Sequence, residues 1–277
     1  MIAAILTTLL DTKSYFFWLL IVSLIFFVLE RVLPRRPAQP ALRPAVGQDL
    51  FWLVWNGQYA GILLAFVVDR VLWPLTGHTP PRVESVLSAW PVPVQFLVLL
   101  VVSDFLDWCV HNLLHRVPVL WIFHRLHHSV DTMDFLANFR FHWMEVVIYK
   151  LLKFMPLLWF GVPHHVALSL AVFTTAFGHF NHSNLRLEWP GPLRYILSSP
   201  GYHLWHHARL NAGDHGRNFA VVFSLWDTLF GAARFTVAPP RRLGFAGRSR
   251  FPRSIPARLL YPIPLPVFRR TGRQAPS

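Results

Sequence analysis

Three long apolar runs, Tyr15 to Leu33, Leu50 to about Leu72 and Val92 to Val110, constrain this chain more than any other feature. Each is close to the ~20 residues a helix needs to cross a hydrocarbon layer of roughly 30 Å. Inside that layer the backbone has no water to bond, so a crossing segment must satisfy its own N–H and C=O groups as a helix. A fourth apolar region, Val146 to about Phe177, is too long for one simple crossing and is interrupted at Gly161, Pro163, His164 and His165. It predicts a helical hairpin whose arms are short for a full span. The first run is longer than a signal-peptide core and ends in Glu30, Arg31, Arg35 and Arg36 without a small-residue cleavage site, so a retained helix is expected. Trp52, Trp55 and Trp73 flank the second run as expected interfacial anchors.

Composition agrees. Hydrophobic residues make up 54% and charged residues only 14%, against roughly a quarter charged in a soluble domain. The formal charge of +13 is almost entirely arginine, because Lys13, Lys150 and Lys153 are the only lysines. Such a balance also suits nucleic-acid binders. Here the arginines sit in short stretches between apolar runs, where membrane topology accounts for them, and no nucleic-acid partner is expected. A single cysteine, Cys109, excludes an intrachain disulfide and any thiolate-rich metal site.

The connectors set the orientation. Pro34 to Pro44 is rich in proline and arginine, and residues 74–91 read as a loop. Arg31, Arg35, Arg36 and Arg43 outweigh Glu30 and Asp49 around the first connector, whereas Asp69, Arg70, Arg82 and Glu84 cancel around the second. The positive-inside rule then places residues 34–49 in the cytoplasm and 74–91 outside. The third helix returns inward and delivers His111 to the cytoplasmic side, and the hairpin delivers His179 and His182 to the same side. Phe219 to Phe230 is expected to pack against the membrane helices, and residues 232–277 read as an irregular Arg/Pro-rich tail. The fold expected is an all-α membrane protein, one membrane-embedded domain over 1–277. It has about three transmembrane helices plus a helical hairpin, and a cytoplasmic histidine-rich helical cap.

Histidine is the outlier, with 15 residues against 13 Asp and Glu together. Unpaired imidazole is costly to bury, so the excess needs a reason. His111 and His115 form HxxxH, which on a helix shares one face. A zinc protease would need Glu after the first histidine, and Asn112 stands there. His124, His127 and His128 form HxxHH, a spacing that groups them on a helical surface, and His203, His206 and His207 repeat it 79 residues later. Between them lie His142 with Glu145, and His179 with His182. A lone HxxxH is more often accidental than a site, and His78, His164, His165 and His215 read as loop or interfacial residues. Two HxxHH boxes and an HxxxH at one predicted face do not fit chance. Nine to eleven imidazoles exceed the ligands of one ion and suit two ions with four or five each. Nitrogen donors admit iron, zinc, copper or nickel. Asp104, Asp107, Asp131, Asp134, Glu145, Asp214 and Asp227 are candidates to orient the rings through their second nitrogen.

These motifs resemble the fatty acid hydroxylase and sterol desaturase superfamily of integral membrane non-haem di-iron enzymes. The family pattern of HxxxH, HxxHH and a later HxxHH is matched by His111/His115, His124/His127/His128 and His203/His206/His207. Asp104 and Trp108 upstream, Leu120-Trp121 before His124, Ser129, and Arg140-Phe141-His142 before Glu145 are similar too. So are His182-Ser183-Asn184, Asn218-Phe219, and Trp226-Asp227 with Phe230-Gly231. The likeness spans roughly residues 95–231, the expected catalytic core. Asn112 departs from the Arg that commonly follows the first histidine. The resemblance implies two Fe ions held by His111, His115, His124, His127, His128, His142, His179, His182, His203, His206 and His207. Asp104, Glu145, Asn184, Asn218 and Asp227 would stand behind them.

It further implies oxygen-dependent hydroxylation or desaturation of a lipid C–H bond, on a sterol or a fatty acyl chain, with dioxygen as co-substrate. The chain shows no flavin, haem or ferredoxin motif, so a cytochrome b5-like, ferredoxin or flavoprotein electron donor is expected. The location implied is a bacterial inner membrane, with the site on its cytoplasmic side. Rival readings are a membrane metal-binding or transport protein and a zinc-dependent lipid hydrolase.

Overall fold

A computed structural model of the chain describes residues 11–72, 74, 86–154, 162–209, 216–236 and 238–263. Among these the secondary structure is helical, and the only β-type pairings are isolated bridges at Pro34–Leu185 and Ala208–Leu243. Three helices are long and apolar enough to cross a membrane: α1 (Tyr15–Val32), α2 (Val46–Val71) and α3 (Val92–Arg116).

Helix α1 starts where the Ser14 hydroxyl accepts the Phe16 N–H at 3.2 Å, an N-cap bond. It buries Leu19, Val22, Phe26 and Glu30, a stripe at helical spacing, and turns Leu24, Ile25 and Val28 outward. A helix with an apolar outer face suits lipid rather than water. The buried stripe packs on Leu53, Phe135, Leu136, Phe139 and Leu185. Helix α2 is the most outward-facing span, with only 11% of its apolar window buried. It contains a π turn at Trp55–Tyr59 and ends in another at Val68–Leu72. The first turns Asn56 so that its amide donates to the Phe139 and Phe141 carbonyls, both at 2.8 Å. Trp52, expected at the bilayer interface, is instead fully buried against Leu126, Phe245 and Phe251. Trp73 lies outside the described residues.

The third apolar run continues as helix past Val110 to Arg116, so His111 and His115 sit on the last turns of a spanning helix. Val117 is extended, as a residue before proline prefers. Pro118 then occupies the first turn of α4 (Pro118–His124), where its missing N–H costs nothing. This corner folds α4 back beside α3. A 3-10 turn at His127–Ser129 and another at Phe135–Phe139 follow, then α5 (Trp143–Tyr149) and a π turn at Lys150–Phe154. The expected hairpin turn lies partly outside the described residues; its return arm is α6 (His164–His182), whose first residues His164 and His165 are exposed. Lys153 ties the first arm to α3 through Asp107 at 2.5 Å.

The remaining α-helices among the described residues are α7 (Pro200–His206), α8 (Leu225–Leu229) and α9 (Ile255–Leu259). Phe219 packs against Trp108, and Phe230 stacks on it at 4.7 Å, as the sequence suggests. Parts of the segment read as an irregular tail pack on the core. The Gly244 N–H donates to the His207 carbonyl at 3.0 Å, and Phe245 and Phe251 close over Trp52.

A buried ion network joins these layers. Arg43 pairs with Asp134 at 2.5 Å and with Asp49 at 2.6 Å, and Arg140 pairs with Asp49 at 2.5 Å. Glu30 accepts the backbone N–H groups of Phe135 (2.9 Å) and Asn184 (2.8 Å). Together they fix the first connector, the start of α2 and the loop after the second histidine box.

Candidate metal centre

Nine imidazoles converge into two groups whose ring nitrogens lie within 4.8 Å of one another. His111, His115, His124, His128 and His206 form the first; His127, His182, His203 and His207 form the second. No ring is more than 5% exposed. Helix α3 supplies two rings of the first group one turn apart, α4 supplies His124 at its end, and α7 supplies His206. The Pro118 corner brings His124 to the α3 pair. Ser199, whose hydroxyl accepts the Tyr202 N–H at 3.3 Å, starts the helix that carries His203 and His206.

Each HxxHH box feeds both groups. In a helical or 3-10 turn adjacent side chains leave the backbone about 100–120° apart. His127 and His128 therefore diverge, as do His206 and His207. The rings His127 and His182 meet at 3.2 Å between their Nε2 atoms, and His182 and His203 at 3.1 Å. In the other group, His128 Nε2 lies 3.1 Å from His115 Nε2 and 3.2 Å from His124 Nε2.

The far nitrogens set the tautomers. His111 Nδ1 donates to the Phe219 carbonyl (2.7 Å), His182 Nδ1 to Gly178 (2.8 Å) and His206 Nδ1 to Arg217 (2.9 Å). His124 Nδ1 donates to Glu145 Oε1 at 2.8 Å. In these rings Nε2 keeps its lone pair and faces its group, the arrangement found behind metal-bound imidazole. Burial, with the neighbouring imidazoles adding to it, pushes His127, His128, His203 and His207 well below the usual imidazole range, so they are neutral.

The donor set fits metal ions. His111 Nε2, His206 Nε2 and both His207 nitrogens are buried without a hydrogen-bond partner among the described residues. Leaving such atoms unmade costs about 1–3 kcal/mol each. At His128 one nitrogen faces two others and can donate to only one. A cation in each group satisfies His111 Nε2, His206 Nε2, His128 Nε2 and one of the two His207 nitrogens together. All-imidazole sites of five and four rings suit iron, zinc, copper or nickel.

Two of the eleven histidines expected as ligands stand outside both groups. His179 accepts from Asn138 Nδ2 at 3.2 Å and pairs through Nε2 with the Ser23 hydroxyl at 3.0 Å, among Phe26, Phe135 and Phe139. Both of its nitrogens are spent. His142 caps α5, its Nδ1 accepting the Met144 N–H at 3.1 Å, and so sets the helix that bears Glu145.

Among the expected carboxylates, only Glu145 touches a ring of the two groups within the described residues. Asp104 accepts the Val222 and Phe223 N–H groups and the Trp226 indole at 2.8–2.9 Å. Asp227 accepts from Trp108 and Tyr202 at 2.8 Å and from the Phe219 and Ala220 backbone at 3.1 and 2.8 Å. It thus holds the carbonyl that orients His111. Asp107, Asp131 and Asp134 pair with Lys153, Arg248 and Arg43. Asp214 lies outside the described residues.

Asn218 adopts a left-handed φ of 58°, tolerable for Asn. Its amide donates to the Tyr202 and Arg234 carbonyls at 2.9 and 3.0 Å. Asn184 holds the Arg36 backbone at 3.1 Å. The orienting carbonyls of Phe219, Gly178 and Arg217 carry no signal in sequence.

Residues 96–232 match the fatty acid hydroxylase family. Ornithine lipid hydroxylase OlsE of Rhizobium tropici is 34% identical over 152 residues, 55% of this chain and 44% of that protein. Alkylglycerol monooxygenase of Caenorhabditis elegans is 26% identical over 144 residues, 51% of this chain and 27% of that protein. Methylsterol monooxygenase 1-3 of Arabidopsis thaliana is 26% identical over 186 residues, 62% of this chain and 61% of that protein. The chain thus aligns with under two thirds of each of these relatives. No solved structure matches it. The matched segment, just under half of the chain, carries all nine converging imidazoles, and that segment is similar to the fatty acid hydroxylase family.

Proposed function

We propose that this protein hydroxylates a C–H bond of a membrane lipid with dioxygen, using two iron ions held by the nine converging imidazoles. The observation that carries the reading is the pair of buried, neutral, all-histidine groups with unsatisfied nitrogens facing inward. Hydroxylation is favoured over desaturation because the reported relatives are named as hydroxylases or monooxygenases.

Bound there, the iron ions would supply activation of dioxygen and removal of hydrogen from an unactivated carbon, chemistry that acid–base side chains do not provide. In the balance, the C–H and O–O bonds break. One oxygen atom ends in the alcohol and the other in water, with a pair of electrons and a pair of protons taken from outside. The chain's own part is to hold and shield. His111, His115, His124, His128 and His206 would hold one ion, and His127, His182, His203 and His207 the other. Glu145 and the Phe219, Gly178 and Arg217 carbonyls lock four rings in the ligating tautomer. Burial of every ring excludes bulk water.

A lipid substrate is supported by the position of His111 and His115 at the end of spanning helix α3, where an acyl chain or sterol can arrive from the bilayer. The arginine-bearing connector lies at the same end, since Arg35 N–H donates to the Asn184 carbonyl at 2.8 Å, two residues after His182. The positive-inside rule then favours a cytoplasmic site. A cytochrome b5-like, ferredoxin or flavoprotein donor would deliver the electrons there, its acidic face steered by the net positive charge.

The test is purified protein loaded with iron and supplied with reductant, oxygen and total membrane lipid. The expected product is a lipid heavier by one oxygen atom, absent without oxygen and absent in His206→Ala. Lipid hydrolysis without oxygen or reductant would replace the reading with a zinc hydrolase. Metal flux in proteoliposomes without oxygen consumption would replace it with transport.

A further inference from the structure

A second polar site lies beside the metal centre. A cavity of about 290 Å3 is walled by Ser129, Arg209, Arg248, Arg253 and Arg258, and among the described residues no carboxylate lines it. Ser129 directly follows His128, and Arg209 stands two residues after His207, so this cavity and the histidine groups share a wall. It lies outside every group of rings described above.

Its charge is out of balance. Arg258 is only 8% exposed, yet among the described residues it pairs with no carboxylate. Its guanidinium donates to two neutral oxygens, Pro252 O at 2.9 Å and Gln48 Oε1 at 2.8 Å. Burial first, then Arg140 and Arg248 nearby, push it down to about 10 against the pull of Asp49, a carboxylate that Arg43 and Arg140 already share. Arg248 pairs with exposed Asp131. Arg209 and Arg253 are exposed and make no ion pair among the described residues. A buried cation that makes no ion pair of its own is expensive, and such a cluster, with more guanidinium than carboxylate around it, is stabilised by an anion. Guanidinium forks match phosphate oxygens in pairs.

The level of the site identifies the anion's carrier. Gln48, which Arg258 contacts, also donates to the Arg253 carbonyl at 2.7 Å and lies in the first turn of spanning helix α2. That helix has 26 residues, about 39 Å at ~1.5 Å per residue, against roughly 30 Å of hydrocarbon. Its first turns therefore project to the depth of lipid headgroups. The cavity's volume is near the lower end of small-molecule sites, about 300 Å3, the size of a headgroup.

We propose that the cavity walled by Arg209, Arg248, Arg253 and Arg258 binds an anionic phosphate group at the polar end of a membrane lipid. The site stands on its own charge and shape, whether or not the lipid it holds is the one oxidised.

Native mass spectrometry of the full chain in uncharged detergent tests this, with phosphatidic acid, phosphatidylcholine or inorganic phosphate as the probe. Phosphatidic acid is expected to be retained on the order of tenfold better than phosphatidylcholine. The preference should vanish in Arg253→Glu, an exposed position that leaves folding intact, and in Arg258→Gln. Equal retention of the two lipids, or undiminished phosphatidic acid on Arg253→Glu protein with an unchanged melting temperature, overturns the site. Equal displacement by inorganic phosphate at the same concentration overturns the lipid as the source and leaves the free anion as ligand. Because no turnover is read, failure here is separate from failure of the oxygenase reading.

Discussion

His127 and His128 are neighbours in the chain, yet their rings belong to different groups: His127 meets His182 at 3.2 Å and His128 meets His115 at 3.1 Å. His206 and His207 divide in the same way. The vicinal pair in each box thus divides between the two imidazole groups. His127→Ala and His128→Ala should each fall from two bound irons per chain to about one, and each should lose turnover. Elemental analysis checks this; both irons retained in either variant contradicts the assignment of that ring.

His179 provides the contrast. Its ring is as buried as the ligands, but Asn138 and Ser23 occupy both nitrogens. His179→Ala should keep the full iron content while losing about 1–3 kcal/mol of stability, the cost of unmade buried hydrogen bonds. Thermal unfolding and iron content are read together, and a lost iron would return His179 to the ligand set.

Glu145 tests orientation. Removing its bond to His124 in Glu145→Ala should weaken iron binding about 10–100-fold. Glu145→Gln keeps an oxygen acceptor for Nδ1 and should recover most of that affinity. Competition with a chelator measures both variants, and equal weakening would show that charge rather than ring orientation matters.

The buried network has its own signature. Asp49 faces both Arg43 and Arg140, and Asp49→Ala leaves two buried cations short of a partner. The expected loss is about 3–5 kcal/mol, seen as a large drop in the melting temperature of detergent-solubilised protein. An unchanged melting temperature would contradict that account.

Much of this was legible in the sequence for a physical reason. Apolar runs of bilayer length announce α1, α2 and α3, and HxxxH and HxxHH reflect the turn that brings side chains together. Other parts had no such signal. His142 and His179 are the same residue type at the same spacing as ligands, and only their partners, Met144, Asn138 and Ser23, reveal a capping and a packing role. Asp104 and Asp227 act on backbone and indole N–H groups rather than on imidazole, a distinction composition does not carry. Trp52 reads as an interfacial anchor until Phe245 and Phe251, nearly two hundred residues on, fold over it. The pairing of Arg43 with Asp134 likewise depends on tertiary contact alone.

The central claim is that two ions sit in two separate imidazole cages. An anomalous difference map of the iron-loaded protein, recorded at the iron absorption edge, tests it directly. The account predicts two peaks, one among His111, His115, His124, His128 and His206 and the other among His127, His182, His203 and His207. A single peak, or iron bound away from these rings, would contradict it.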